Sequence, residues 1–286
     1  MSVKNKIALV QDTFKRGKEK ATTTENLNKL NEWLLELPKE FISVAYEGAS
    51  MGVAIKSIEE TNSLNQWNKF YNDFGLKHSS QMHVGLGWAF AELNLKFKDV
   101  DLVIDPVLKY RVLDGYGYYE GIFKRRQSIR TQQVPQHFNE IELRAYNQGL
   151  GRSLWYIAQG EVEKLVKLIN IFAENRHNDM WRGIGIAVAY VGGVEALNIE
   201  QLVIGSGQHL SSFKSGVALL IQSRAKAGSI VNDTENISNI LFNTDTQYVN
   251  DQVTKLEKET IATSEASYFD WLKKIEENFV TLLSSR

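Results

Sequence analysis

Cysteine is absent from this 286-residue sequence, and proline occurs only three times. Without cysteine there can be no disulfide, no thiolate catalysis, no iron–sulfur cluster and no zinc site that needs sulfur. Long hydrophobic runs are missing as well, since the most apolar stretch, residues 184–194, covers only about a dozen residues. We therefore expect a cytoplasmic protein without a membrane span.

The sequence also lacks an excess of charge and lacks known catalytic motifs. Its net charge is −1, and no block of five or six basic residues occurs, so neither nucleic acid nor acidic lipid is an expected partner. Motifs of phosphate loops, dinucleotide-binding turns, zinc proteases and serine hydrolases are missing. The five histidines show no ligand spacing, so we expect no cofactor and no metal.

What the chain does contain is a recurring phrase, a glycine preceded two or three residues earlier by an aromatic or sulfur-containing side chain, and seven of these glycines recur at a nearly constant interval. These glycines are Gly17, Gly48, Gly85, Gly121, Gly149, Gly183 and Gly216. They lie 28 to 37 residues apart, a period typical of arrays of paired helices. With so little proline, this predicts an all-α fold, a helical repeat of the solenoid type. Because glycine inside a helix costs about 1 kcal/mol relative to alanine, we expect close helix–helix contact at these positions.

The repeat is expected to be duplicated and to carry a C-terminal extension. Matching residues offset by 131 to 135 positions indicate halves at 14–95 and 146–227. We expect a helical repeat domain over 1–240 and a helical extension over 241–286. Amphipathic patterns predict helices over 24–37, 161–172, 250–259 and 266–284, with a loop or helix junction over 244–251.

Polar side chains within apolar helical segments are the candidate functional residues. Glu47 and Glu120 are the candidate catalytic groups, because a buried carboxyl must be paired, protonated or face a cavity. The candidate substrate-binding residues are His83, Trp88, Asp114, Tyr116, Arg152, Trp155, Asp179 and Trp181. A structural interpretation stands beside this one, with Asp179 as a helix cap and Arg152 as the partner of a carboxylate on another helix.

The cost of burying charge gives this hypothesis a testable form. We expect at least three of Glu47, His83, Glu120 and Arg152 to reach one cavity, with a volume on the order of hundreds of Å³. An aromatic wall with a few fixed charges suits a long, flat or conjugated apolar ligand. Replacing Glu47 or Arg152 would then remove binding and leave thermal stability nearly unchanged.

Taken together, the glycine phrases resemble one known family. Six segments resemble, in their order and spacing, the UnbL-type enediyne biosynthesis proteins, a domain of unknown function. The segments are SVAYEGASMGVAI, MHVGLGWAFAELN, DPVLKYRVLDGYGYYEGIF, YNQGLGRSLWY, RHNDMWRGIGIAVAYVGG and GVALLIQSRAKAG. The resemblance covers roughly residues 10–240. It implies an accessory or tailoring protein of enediyne-type polyketide biosynthesis. Such a protein would bind or process a polyene-like apolar intermediate alongside other biosynthetic proteins, and the resemblance implies no chemical role residue by residue.

Two other interpretations stay open, and with them whether the protein is an enzyme. A non-catalytic helical-repeat scaffold or protein-interaction module would use the glycine phrases for packing alone. An isoprenoid cyclase is the third, although the usual aspartate-rich metal motif is missing. A large internal cavity would favour the binding protein, whereas a solid core with a concave groove would favour the scaffold.

Overall fold

The computed structural model describes residues 1–96, 108–261 and 268–284. Within these ranges all regular structure is helical, which confirms the predicted all-α class. The helices are α1 (Val3–Thr23), α2 (Leu27–Leu35), α3 (Ile42–Thr61), α4 (Asn65–Phe70), α5 (Ser79–Glu92), α6 (Lys109–Phe123), α7 (Glu140–Ala158), α8 (Val162–Ile169), α9 (His177–Val191), α10 (Ala196–Ser206), α11 (Leu210–Lys226), α12 (Asn232–Phe242), α13 (Thr246–Ile261) and α14 (Tyr268–Ser284). Across those same ranges, none of the helices has both the length and the apolar character that crossing a membrane requires.

Seven helices form a central row in which each packs against the next: α1, α3, α5, α6, α7, α9 and α11. Their sequences explain this position, because small and apolar residues occupy every side of helices such as α3 and α9. A helix that is apolar on every side is stable in water only when other parts of the protein bury it. The row curls back on itself, since α9 contacts α1, and Gln81 on α5 exchanges hydrogen bonds of 2.9 and 3.0 Å with Ser223 on α11.

The seven phrase glycines lie inside the helices of this central row, as predicted. Their contacts are reciprocal: a Cβ added to Gly17 would overlap the backbone oxygen of Ala45, and one added to Gly48 would overlap that of Phe14. Gly121 differs, because a serine side chain of α7 lies against it instead of backbone. At the other six glycines, dispersion forces between the closely spaced backbones offset the free-energy cost of placing glycine in a helix.

Several helix boundaries differ from the predicted ones (α2 ends at Leu35 and α8 at Ile169, before residues 37 and 172), and two of the differences have a clear cause. Thr24 ends α1 instead of beginning α2, which is capped by Asn26 through a 2.8 Å hydrogen bond from the backbone N–H of Asn28. Helix α13 begins at Thr246, inside the predicted loop, where Glu235 accepts the backbone N–H at 3.2 Å and the hydroxyl at 2.5 Å. Both differences concern polar residues between adjacent helices, which hydrophobic periodicity does not assign to either one.

The last two helices pack against the central row. Helices α13 and α14 both contact α11, and Glu276 of α14 accepts a 2.6 Å hydrogen bond from Arg182 of α9. They therefore cover the end of the row where α9 and α11 lie side by side. The boundary at residue 240, the duplication into two halves and the solenoid character stay predictions.

Candidate functional site

A cavity of about 570 Å³ opens beside α1, α3 and α6 and reaches the end of α9. Its wall is mostly apolar and includes the rings of Phe14, Trp88, Tyr118 and Tyr190. The indole of Trp88 joins two of these rings, with its centroid 4.6 Å from that of Phe14 and 4.6 Å from that of Tyr118. Large aromatic faces at such spacings give the wall a fixed shape.

The outer rim of the cavity is polar. Lys18 of α1 and Glu92 of α5 both line it and pair at 2.9 Å, with side chains 29% and 34% exposed. Lys15 and Glu19, two exposed residues of α1, line the same rim. A ligand entering from solvent would therefore pass charged groups before it meets the aromatic wall.

Glu47 is the ionisable group at the buried side of the cavity. It is only 2% exposed, and its Oε2 accepts a 3.2 Å hydrogen bond from the hydroxyl of Tyr190. Burial raises the pKa of Glu47 to about 7, against the lowering effects of the Arg152 charge 4.0 Å away and of the Tyr190 hydrogen bond. Near neutral pH the carboxyl is therefore present both as acid and as carboxylate, the condition that general acid–base catalysis requires.

Arg152 lies behind the cavity and is held by Asp114. Its Nη1 donates to Oδ1 of Asp114 at 3.2 Å, and its guanidinium lies 4.8 Å from the ring centre of Tyr118. Asp114 is fully buried and also accepts hydrogen bonds from Gln148 at 2.7 Å and from Arg111 at 3.4 Å. The arrangement agrees with the structural interpretation of Arg152, the partner of a carboxylate on another helix.

Of the four charged groups expected to share one cavity, only Glu47 lines it, and Arg152 lies behind it. His83 packs edge-on against the rings of Trp67 and Tyr71, and Glu120 accepts a 2.9 Å hydrogen bond from the hydroxyl of Tyr146. Neither side chain lines the 570 Å³ cavity. The expectation that at least three of the four would reach it is wrong, because Arg152, His83 and Glu120 all interact with groups away from the cavity.

Asp179 and Trp181 belong to a second polar cluster near the beginning of α9. Asp179 accepts hydrogen bonds from Arg182 at 2.7 Å and from Arg144 at 3.3 Å, while Trp181 is buried against α11. Helix α9 begins at His177, two residues before Asp179. Asp179 therefore lies in the first turn of α9, where it pairs with two arginines and does not cap the helix.

Tyr116 and Trp155 serve packing. The ring of Tyr116 lies 5.3 Å from that of Phe138, and burial raises the pKa of Tyr116 to about 12. Trp155 is fully buried, and its indole N–H has no hydrogen-bond partner in the described ranges of the chain. Neither residue lines the cavity.

Two cavity residues were not singled out from the sequence, Tyr118 and Tyr190. Tyr118 precedes the phrase glycine Gly121 by three residues, so that phrase held a signal for it, whereas Tyr190 precedes Gly192, which is not one of the seven. Both phenols are buried, and burial raises the pKa of each well above its usual value. They therefore stay protonated and can donate hydrogen bonds into the site.

The raised pKa of Glu47 predicts a pH-dependent stability that Glu47→Gln removes. Between its unfolded pKa of 4.5 and its folded pKa of about 7, the folded state keeps a proton that the unfolded chain has lost. The contribution of Glu47 to the free energy of unfolding is fully present below pH 4.5 and is lost as the pH rises through 7. We expect the free energy of unfolding, measured in urea, to fall by about 3 kcal/mol more in wild type than in Glu47→Gln between those limits. A constant difference between the two proteins would show that Glu47 titrates normally.

Comparison with known proteins identifies the family. The family model described as "Protein of unknown function (DUF1702)" matches residues 1–279. This match includes the whole central row, with its seven glycine phrases, and extends into α14. Neither the search of curated proteins nor the search of solved structures finds a match.

Proposed function

We propose that this chain, which belongs to the DUF1702 family, binds a polyene-like intermediate of enediyne-type polyketide biosynthesis in its cavity. The observation that carries the proposal is the position of Glu47, with its pKa raised by burial to about 7, against an aromatic-walled cavity. Flat aromatic faces favour a flat, conjugated and apolar ligand. The UnbL-like order of the glycine phrases supports the same class of pathway.

The dimensions and polarity of the cavity support binding. Its volume of about 570 Å³ lies inside the range of sites that enclose most of a small molecule. The rim carries Lys15 and Lys18, which can pair with a carboxylate at one end of the ligand while the apolar part lies inside. A scaffold that acts by packing alone has no use for such a cavity, so its presence favours the binding protein.

Glu47 is the proposed proton-transfer group. In its acid form the O–H bond breaks and a C–H bond forms on the conjugated chain, which leaves an allylic cation and the Glu47 carboxylate. The faces of Trp88, Tyr118 and Tyr190 stabilise such a cation through their ring quadrupoles. The cation then returns a proton from another carbon to the carboxylate, so the step rearranges double bonds and needs no further reactant.

A binding experiment tests the first half of the proposal. The probe is a conjugated polyene fatty acid whose fluorescence rises in apolar surroundings, and we expect micromolar binding to the wild type. Met51→Trp places an indole in the cavity one helical turn from Glu47, and we expect it to weaken binding by about tenfold or more. Ile204→Trp, at a position 79% exposed on α10, is the matched control and should bind like the wild type.

An isotope experiment tests the proton transfer. In D₂O the wild type should introduce deuterium into the polyene, detected by mass spectrometry, whereas Glu47→Gln should bind the polyene without exchange. An isoprenoid alcohol serves as a second probe, and exchange into it alone would favour the cyclase interpretation. Absence of binding by both probes would overturn the proposal.

A further inference from the structure

Two short 3-10 segments bring three potential metal ligands together at the beginnings of α9 and α11. Glu174–Arg176 leads into α9, and Gly207–His209 leads into α11. Because α9 and α11 pack side by side, Glu174, His177 and His209 meet there and form what we call the histidine cluster. Glu174 lies 3.0 Å from Nε2 of His209 and 3.6 Å from Nδ1 of His177, and the three ligand atoms lie within 4.8 Å of one another.

Hydrogen bonds behind the two imidazoles fix which nitrogen faces the centre of the cluster. Nε2 of His177 lies 3.0 Å from the backbone oxygen of Phe172, so this nitrogen carries the proton and Nδ1 presents its lone pair. Nδ1 of His209 lies 2.6 Å from Oδ1 of Asn178 and Nε2 lies 3.0 Å from Glu174, so the tautomer protonated on Nδ1 turns the Nε2 lone pair toward the centre. Metal-binding histidines are usually oriented by such a bond from their other nitrogen.

Metal binding selects the tautomers whose lone pairs face inward, and Gln208 donates a 2.5 Å hydrogen bond to Oε1 of Glu174 beside the cluster. Two imidazole lone pairs and one carboxylate face one another, and a cation between them would relieve their repulsion. The side chains of His177 and His209 are 8% and 11% exposed, whereas that of Glu174 is 66% exposed and free to adjust. Two fixed nitrogens, one adjustable carboxylate and an open side toward water match a three-ligand zinc site.

We propose that the histidine cluster binds one divalent transition-metal ion, of which Zn²⁺ fits the nitrogen and oxygen ligands best. The ion fastens the beginnings of α9 and α11 to each other. His177 precedes Tyr190 by 13 residues, about 20 Å along α9 at the usual helical rise, so the ion lies far from the cavity and outside its chemistry. The sequence expectation of no metal considered only spacing along the chain, and these ligands come from two separate units of the row.

The experiment uses the full chain, with any affinity tag removed and the protein treated with a chelator. Zn²⁺ is titrated by calorimetry, and Co²⁺ is titrated by its visible absorption, which reports coordination number and nitrogen ligands. We expect one ion of either metal per chain. Glu174→Gln alters an exposed side chain and leaves folding intact, yet it should weaken binding at least tenfold. Asn178→Ala, which removes an orienting bond, should weaken it by about 10–100-fold.

His137→Asn is the matched control, because His137 is an exposed histidine outside the cluster. It should bind both metals like the wild type. His177→Asn and His209→Asn should abolish the Co²⁺ spectrum, with circular dichroism to verify that both remain helical. Failure of the wild type to bind Zn²⁺ and Co²⁺ at millimolar concentration would overturn the proposal. So would binding that Glu174→Gln and His209→Asn leave unchanged, since the ion would then be held elsewhere.

Discussion

Gly183→Ala is expected to lower the free energy of unfolding by about 3 kcal/mol or more, and Gly183→Leu to prevent folding. An alanine Cβ at this position would overlap the carbonyl oxygen of Gln148. It would also lie 2.8 Å from the carbonyl carbon of Gln148 and 2.9 Å from the backbone nitrogen of Arg152. Backbone atoms cannot rotate aside as a side chain can, so α7 and α9 would have to separate. Urea denaturation followed by circular dichroism measures the loss.

Gly205→Ala is the matched control for this substitution. Gly205 also lies inside a helix, α10, but a Cβ there would meet only the Cγ2 of Val166 at 2.8 Å and the ring of Trp181 at 3.8 Å. The end of the valine side chain can move, and alanine gains up to about 1 kcal/mol in helix propensity. The control should therefore be neutral or slightly more stable. Similar losses in both variants would contradict the role assigned to backbone contact in the central row.

Arg152→Met is expected to destabilise the protein by about 3–5 kcal/mol, in contrast to the sequence expectation of little change. Methionine fills a similar volume but leaves the fully buried carboxylate of Asp114 without its 3.2 Å hydrogen bond from Nη1. It also removes the positive charge 4.0 Å from Glu47. Thermal denaturation at pH 7 measures the effect.

Lys167→Met is the control for the loss of a positive charge. Lys167 pairs with Glu163 at 2.5 Å, a shorter distance than the buried pair, but the two side chains are 73% and 84% exposed. Exposed pairs contribute about 0–1 kcal/mol, so this variant should melt close to the wild type. An Arg152→Met protein as stable as the Lys167→Met protein would show that Asp114 does not depend on Arg152.

The all-α class and the buried helices could be predicted from the sequence because glycine is the one residue that permits the closest helix contacts. The spacing of Gly48, Gly149 and Gly183 located buried helices before any contact was known, and each of the three lies against the backbone of a neighbouring helix. The amphipathic pattern of residues 161–172 likewise predicted α8, whose residues Leu165 and Ile169 are buried. Glycine spacing and amphipathic periodicity are both local patterns, and both indicate which helix surfaces pack against other helices.

The candidate site could be predicted only in part, because the central helices are apolar on every side. In such a helix the pattern does not indicate which polar residue points toward which neighbour. Glu47, singled out from the sequence, lines the cavity, but its partner Tyr190 lies 143 positions away, and Arg152 lies 38 positions from Asp114. Those pairings depend on how the row curls and on how each helix is rotated. The spacing of the glycines along the sequence determines neither the curl of the row nor the rotation of each helix.

The glycine contacts also constrain how a molecule could reach Glu47. Helices in backbone contact cannot slide or separate without losing those contacts, so we expect the helices around the cavity to keep their positions while side chains at its opening move. The ion pair between Lys18 and Glu92 stands at its entrance, partly exposed to solvent. Such side chains change rotamer within picoseconds to nanoseconds, and salt weakens their attraction. If the cavity binds the proposed ligand, we expect entry and exit to require only side-chain rotation at this ion pair, and therefore to be fast and to depend on salt.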